Sequence, residues 1–434
     1  MTSSEKVVVR IPPSPTGNLH IGTARTALFN YLFAKQKGGK IVIRIEDTDK
    51  ERSRREFEDN IFEGLKWLGI AYDGEFSRQS ERSEKYRGAL LGLIDKGVAY
   101  ISKEPSKNDA SVEVEVVRLK NPGKIVTFND LVRGDITFDT TELGDFVIAK
   151  NLNEPLYHLA VVFDDHDAGV THVIRGEDHI SNTPRQILIQ EAFGFDRPAY
   201  AHIPLILGPD RSKLSKRHGA TALTNYRDQG FLPEGMINYL ALLGWNPGTE
   251  KEIFTMDELI ADFDINKIQK GGAVFDEKKL RWVNKEHIKR LPKEVLEREI
   301  LDRIKRSFPD KNIPDGLSEI ISERIEVFSD VDELIKAGEL DYFFFEPKLE
   351  KEKINWKKDD ALTAKLHLEE VIKILQSDGD VMAYAEAAGK GSVLWPLRYS
   401  LSGKEKSPDP ITLLSILGRE ESVRRVNKAA QILS

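Results

Sequence analysis

The chain has no cysteine among its 434 residues. Disulfides and thiolate zinc sites are therefore excluded, and a reducing, cytoplasmic setting is the expectation. No apolar run approaches the roughly 20 residues that a membrane-spanning helix requires, so no membrane partner is expected. The opening "MTSSEKVVVR" enters a strand almost at once, so no signal or transit peptide is expected. Basic residues are not in excess: a net charge of −7 does not describe a protein that coats DNA indiscriminately. A locally basic face could still meet a nucleic acid. Internal repeats and low-complexity stretches are also absent.

What is present is ample core material. Hydrophobic residues make up 40% and charged residues 31%, as in soluble globular proteins of two to four domains at this length. "KVVVRI" (6–11) reads as a buried strand stopped by Pro12-Pro13, Leu19 to Gln36 as a helix, and "KIVIRIED" (40–47) as a second strand. Strand, helix and strand in about forty residues form a right-handed crossover of a parallel sheet. Helices follow at 52–68 and 81–96. From 101 to 152 the chain becomes strand-rich, with turns at Asn121-Pro122-Gly123 and Arg133-Gly134-Asp135. The α/β pattern then returns. "LAVVFDDHD" and "THVIRGED" read as strands running into loops, Thr183 as a helix cap ahead of Pro184, and "AHIPLIL" as another strand. Past about 225 strands are expected to disappear.

Two loops carry chemistry. In "PSPTGNLHIG", His20 falls at the first turn of a helix, where unpaired amides and the helix dipole attract anions. There it either donates to a phosphate or simply caps the helix. Gly17 would permit the turn, and Gly22 would let a ring or phosphate approach the backbone. "GPDRSKLSKRHGA" (208–220) places Arg211, Lys213, Lys216 and Arg217 between glycines. Such cations suit a polyphosphate whose charge moves during reaction, or form a solvated surface loop.

Together, "HIG" and "KLSKR" resemble the paired ATP-binding signatures of class I aminoacyl-tRNA synthetases. "RIPPSPTGNLHIGTARTALFNY", "RIEDTD", "YHLAVVFDDH", "VIRGEDH" and "FLPEGMINYLALLGW" narrow the resemblance to the bacterial-type glutamyl-tRNA synthetases, over nearly the whole chain. It implies a Rossmann-like α/β catalytic domain of parallel strands in two halves, 1–100 and 153–225. A small β-rich acceptor-end-binding insertion at 101–152 splits them. A helical stem-contact region (226–300) and a helical anticodon-binding region (301–434) complete the all-helical C-terminal half.

The resemblance further implies ligation of L-glutamate to the 3′ end of tRNA(Glu) through glutamyl-adenylate, and leaves tRNA(Gln) open as a second acceptor. ATP would enter with Mg2+, without zinc, and the family expectation is a monomer. By match to its motifs, His20 and Lys216 are catalytic. Gly17, His20, Gly22, Lys213, Lys216 and Arg217 bind ATP, and Arg10, Ser14, Glu46, Tyr157 and Arg175 bind glutamate. Two arginines can clamp carboxylates in two-pronged fashion, and Glu46 suits the ammonium. For Glu46, Asp47 and Asp49 the alternative is an ion-pair cluster with Arg52, Arg54 and Arg55; it is set aside for Glu46 and stays open for Asp47.

Asp49 and Arg52, and Lys279 and Arg281 within a basic run around Trp282, would contact tRNA. Asp164-Asp165-His166 lacks the ligand spacing of a metal site and reads as a strand end lining the pocket. Two other functions compete: a synthetase-like regulator that only binds tRNA, and a small nucleotidyltransferase using the first motif alone. Retention of both His20 and Lys216 argues against the first. The long C-terminal part argues against the second.

Overall fold

The computed structural model describes residues 6–105, 111–215, 222–357 and 359–434. Lys216 and Arg217 lie outside them. The chain divides into two compact units, Met1–His287 and Ile288–Ser434.

The first unit begins with the expected crossover: β1 (Val8–Ile11), α1 (Ile21–Gln36) and β2 (Lys40–Ile45), with β1 and β2 parallel and Arg10 opposite Val42. Helix α1 is buried on nearly every side. Ala24, Leu28, Phe29 and Leu32 are each fully covered, and such burial contributes about 1.5–3 kcal/mol for each large side chain. Gly38, with φ +60°, ends the helix in the left-handed region. Gly39 has a different reason: a Cβ there would lie 2.5 Å from the Val7 carbonyl oxygen. After α2 (Arg55–Trp67), β3 (Ser77–Arg78) joins β2 in parallel, and α3 (Ser83–Asp95) follows.

Between residues 99 and 155 come β4 (Ala99–Pro105), β5 (Glu113–Leu119), β6 (Ile125–Asp130), β7 (Gly134–Asp139), β8 (Phe146–Asn151) and β9 (Glu154–Pro155). They do not form one sheet. β4, β5, β8 and β9 make an antiparallel four-stranded sheet, while the β6–β7 hairpin adds to the returning parallel strands. Val126 and Phe128 of β6 therefore share a core with Val117, Leu159, Val173 and Ile187.

The segment read as the strand "LAVVFDDHD" is instead a helix, α4 (Tyr157–Asp167). A short apolar run cannot distinguish a buried strand from a buried helix, and tertiary packing overrides the β-branched residues here. Leu159, Ala160, Val161 and Val162 are all buried. β10 (His172–Gly176) and β11 (Ala199–Ile203) then pair in parallel, joined by α5 (Thr183–Phe193). Thr171, just before β10, donates its amide to the Val8 carbonyl at 2.9 Å, which sets β10 beside β1. Thr183 is not a cap, because a short 3-10 turn (Glu177–Asn182) leads straight into α5 and Thr183 is already helical.

β12 (Ile206–Leu207) precedes α6 (Leu223–Asp228), α7 (Pro233–Leu242) and α8 (Met256–Asp262). Strands do not end at 225: β13 (Ala273–Val274) pairs in parallel with β12 before α9 (Glu277–Ile288). A Cβ on Gly272 would press 2.7 Å from Leu207 Cδ1, so any larger residue there would push the Leu207 side chain aside. α7 and α8 cover the side of α1 that the sheet leaves open, with Phe29 and Phe263 rings 5.4 Å apart.

The second unit is built of helices joined by loops, with no strand among its described residues, from α10 (Lys293–Ser307) to α18 (Arg419–Ile432). Its buried arginine, Arg425 on α18, donates to the carbonyls of Tyr342 and Leu401 at 2.7 and 2.6 Å and so ties helix ends together.

Candidate active site

Arg10 near the end of β1, Glu46 just past β2, Arg175 in β10 and His202 in β11 all lie toward the carboxyl ends of parallel strands. α1 starts at the same edge. Open α/β sheets bind ligands at such an edge, where strand order reverses. A cavity of about 370 Å³ opens there, lined by Arg10, His20, Gly22, Arg25, Arg175 and Lys213 among others. Five of the residues picked from sequence thus share one crevice.

His20 is the N-cap of α1, and its Nδ1 accepts from the Gly22 amide at 3.0 Å. Capping and phosphate binding are not exclusive. With Nδ1 accepting, the proton of the neutral ring sits on Nε2, which makes that atom a donor. Gly22 makes room for the ring, since a Cβ there would lie 3.3 Å from Nδ1. Gly17 does not have a positive φ, contrary to the turn argument, and a Cβ on it would meet nothing within 4 Å.

The residues on either side of 216–221 are tied to the first motif's neighbourhood. Leu214 donates its amide to Ile206, and Leu223 donates to the carbonyl of Leu19 at 2.8 Å. Ala222 forms a bridge with His20 itself. Lys213 reaches Asp178 at 2.7 Å on the cavity wall.

Arg175 is 5% exposed, and its three nitrogens donate to His202 Nε2, Gln186 Oε1 and Thr183 Oγ1 at 3.1, 2.8 and 2.8 Å. Every one of these acceptors is neutral. Among the described residues no carboxylate pairs with Arg175, and burial lowers its pKa. A buried cation without a counter-charge is costly unless something anionic arrives.

Arg10 is held by the Ile174 carbonyl at 3.1 Å and Asp165 at 3.4 Å. Asp165 also takes Arg44 at 2.6 Å, and Arg44 reaches Glu46 at 2.9 Å. Burial pushes the Asp165 carboxyl up, but Arg44 and Arg10 more than offset this and hold it below the ordinary value. In Glu46 burial prevails over Arg44, and its carboxyl is raised. Asp164 accepts from Gln79, Arg82 and the Tyr86 hydroxyl. The acidic pair of α4 is therefore a brace beneath the site, not a strand end lining it.

Ser14 donates to the Glu46 carbonyl at 2.9 Å, while the Glu46 amide donates to Pro13. The proline-rich loop thereby fixes the end of β2. The Tyr157 hydroxyl lies 3.1 Å from His179 Nδ1. Burial, then Glu46, raise the Tyr157 pKa, so its hydroxyl stays protonated.

Tyr157 lines a second groove of about 740 Å³ with Asp49, Lys50, Ser80 and Lys150. Asp49 and Arg52 pair with one another at 2.6 Å. Asp47 joins no arginine cluster; it holds the amide and hydroxyl of Ser80 at 2.9 and 2.5 Å. In the basic run, Lys279 pairs with Glu252 at 2.5 Å and sits 4.0 Å over the half-exposed Trp282 ring.

Sequence reasoning missed Arg25 and His202. Arg25 is buried, donates to Leu243 and Pro204, and has its pKa lowered to about 10 by burial. The signal for both was a polar residue inside an apolar run, "TARTALF" and "YAHIPLI". Among the described residues no cluster of three acidic or histidine side chains could hold a metal ion, and no helix is long and apolar enough to cross a membrane.

Residues 6–108 and 101–282 match the family described as "tRNA synthetases class I (E and Q), catalytic domain", and 278–430 match "Anticodon binding domain". The glutamate–tRNA ligase of Carboxydothermus hydrogenoformans is 40% identical, with 97% of this chain and 99% of that one covered. That of Lawsonia intracellularis is 39% identical, with 98% and 99% covered. The crystal structure of the glutamate tRNA ligase from Elizabethkingia meningosepticum, in complex with its amino acid, superposes with a TM-score of 0.85 at 32% identity, covering 99% of this chain and 100% of that one. With His20 and Lys213 lining one cavity at the sheet edge and relatives of this similarity along its full length, the chain belongs to the glutamate–tRNA ligases of the class I aminoacyl-tRNA synthetase family.

Proposed function

We propose that the chain ligates L-glutamate to the 3′ end of tRNA(Glu) in two steps at this crevice. A carboxylate oxygen of glutamate attacks the α-phosphorus of ATP, the bond to the bridging oxygen breaks, and pyrophosphate leaves. A hydroxyl of the terminal adenosine of tRNA then attacks the glutamyl carbonyl, loses its proton, and displaces AMP. Both steps redistribute charge over oxygens, so prepositioned donors carry the catalysis.

In this reading His20 Nε2–H bonds the α-phosphate at the positive end of α1. Lys216 neutralises the β- and γ-phosphates, with Lys213 and Arg217 supporting the loop. Gly17 and Gly22 leave room for the nucleotide. Magnesium enters with ATP as part of the substrate. Arg10 and Arg175 receive the glutamate carboxylates, Tyr157 donates to one of them, Glu46 binds the ammonium, and Ser14 sets the position of Glu46.

The observation that carries the proposal is Arg175, a buried cation with no acidic partner among the described residues, opening on the same cavity as His20 and Lys213. The strands of 101–152 would hold the acceptor end with Asp49 and Arg52, residues 226–300 the stem, and 301–434 the anticodon. Cytoplasmic location and a monomeric state complete the reading. Pyrophosphate exchange measured with glutamate, ATP and tRNA tests it: exchange should require all three and vanish in the His20→Ala, Lys216→Ala double variant. Exchange that survives the double variant overturns these roles. Charging assays with purified tRNA(Glu) and tRNA(Gln) decide whether the second is also an acceptor.

A further inference from the structure

Arg175 is supported from behind by a relay that the reaction scheme leaves unexplained. His202, fully buried, accepts from Arg175 Nε through Nε2 at 3.1 Å. Its Nδ1 lies 2.6 Å from Asp130 Oδ2. Asp130 is the last residue of β6, in the hairpin that joins the edge of the parallel strands. Its Oδ1 accepts from the amides of Val132 and Arg133 at 3.0 and 2.9 Å, and its Oδ2 accepts the His202 amide at 3.0 Å.

These bonds define the protons. Asp130 accepts, so His202 carries its hydrogen on Nδ1, and Nε2 must then be the acceptor that Arg175 requires, with the Thr183 hydroxyl 3.2 Å from the same nitrogen. Burial, with Arg175 adding to it, holds the His202 pKa below the ordinary value against the pull of Asp130, so the ring stays neutral.

An aspartate touching Arg175 directly would neutralise the guanidinium before substrate arrived. An imidazole placed between them orients the fork and leaves its charge unmet. We propose that His202 and Asp130 are positioning residues for glutamate, holding Arg175 by a neutral nitrogen so that its positive charge is kept for a substrate carboxylate. This rests on the reading that Arg175 contacts that carboxylate.

The relay makes an unusual demand of Asp130→Asn. The amide oxygen stays at the Oδ1 position, where it accepts from the Val132 and Arg133 N–H groups and from the His202 amide 3.2 Å away, so the amide nitrogen turns to His202 Nδ1. The imidazole proton then moves to Nε2 and opposes Arg175 Nε–H. In the full chain with tRNA present, Asp130→Asn and His202→Leu should each raise KM for glutamate about tenfold or more, the scale of one unsatisfied buried donor. KM for ATP should stay within about twofold, as the lesion leaves the phosphate donors in place. His202→Gln, whose carbonyl can still accept from Arg175, should recover most of the loss.

Arg175→Gln separates the levels. If it raises the glutamate KM while the His202 and Asp130 variants do not, the relay is overturned and the substrate reading stands. If Arg175→Gln leaves that KM unchanged, both are overturned. Nitrogen-15 NMR of the unmodified protein gives a check that does not depend on variants folding. His202 should be neutral and protonated at Nδ1 near pH 7; an Nε2-protonated or doubly protonated ring overturns the relay.

Discussion

The Nδ1 atom of His20 lies 3.0 Å from the Gly22 nitrogen and closes the first turn of α1. One ring thus caps the helix through one nitrogen and, in the reading proposed above, donates to phosphate through the other. The two roles are separable. Asparagine is among the best N-cap residues but lacks a donor at the distance of Nε2. His20→Asn should therefore leave the melting temperature unchanged or slightly higher. It should lower pyrophosphate exchange ~100- to 1000-fold, as loss of one transition-state donor does elsewhere. A melting temperature that falls along with activity would assign His20 to the cap alone.

Asp165 joins Arg10 to Arg44 inside the first unit. Asp165→Asn removes the carboxylate partner of Arg10, while Arg44 keeps Glu46 at 2.9 Å and Asp164 at 3.7 Å; it should cost about 3–5 kcal/mol in chemical denaturation. The folded carboxyl is depressed below its ordinary value of 3.8. Its contribution is therefore complete above that value and lost as pH falls through the lower, folded one. Denaturation curves of the two proteins should differ by a constant amount from pH 7 to pH 5 and converge only at stronger acidity.

Glu46 has the opposite sign. Its folded carboxyl is raised by burial despite Arg44, so the ionised form costs the fold stability above that pKa, and acidification toward it relieves the cost. Glu46→Gln should leave stability at pH 7 equal or higher, while raising KM for glutamate ~10- to 100-fold through loss of a charge-assisted bond to the ammonium. A variant both less stable and unchanged in KM would make Glu46 a structural ion pair with Arg44.

Lys279 already pairs with Glu252 and covers Trp282, so its charge is partly met within the chain. Reversing Lys279 and Arg281 to glutamate should weaken tRNA binding. It should also reduce the slope of log affinity against log salt by about one for each lost phosphate contact. Filter binding over a salt series measures both. Unaltered affinity and slope would remove these residues from the tRNA surface.

Legibility followed chain distance. The crossover unit and the His20 loop could be read because strand period, proline stops and helix start lie within a few residues of one another, and Arg10 came from the family likeness of its motif. Helix α4 could not: "LAVVF" has the composition of a strand, and only its packing against the second half-sheet makes it helical. Thr183 looked like a cap because it precedes a proline. The preceding 3-10 turn had already made it helical, which freed its hydroxyl for Arg175. Asp47 was ambiguous among arginines, and its partner Ser80 is 33 residues away.

The sequence by itself determined which side chains bring chemistry to this protein: a histidine at a helix start, cations between glycines, and arginines at strand ends, with their family likeness. Tertiary structure alone decided which of those charges are already satisfied. Arg10 and Arg44 share Asp165 from α4, 121 or more residues away, whereas Arg175 meets only neutral acceptors. Counter-charge falls off over a few ångströms, and a linear string of residues carries no such distances.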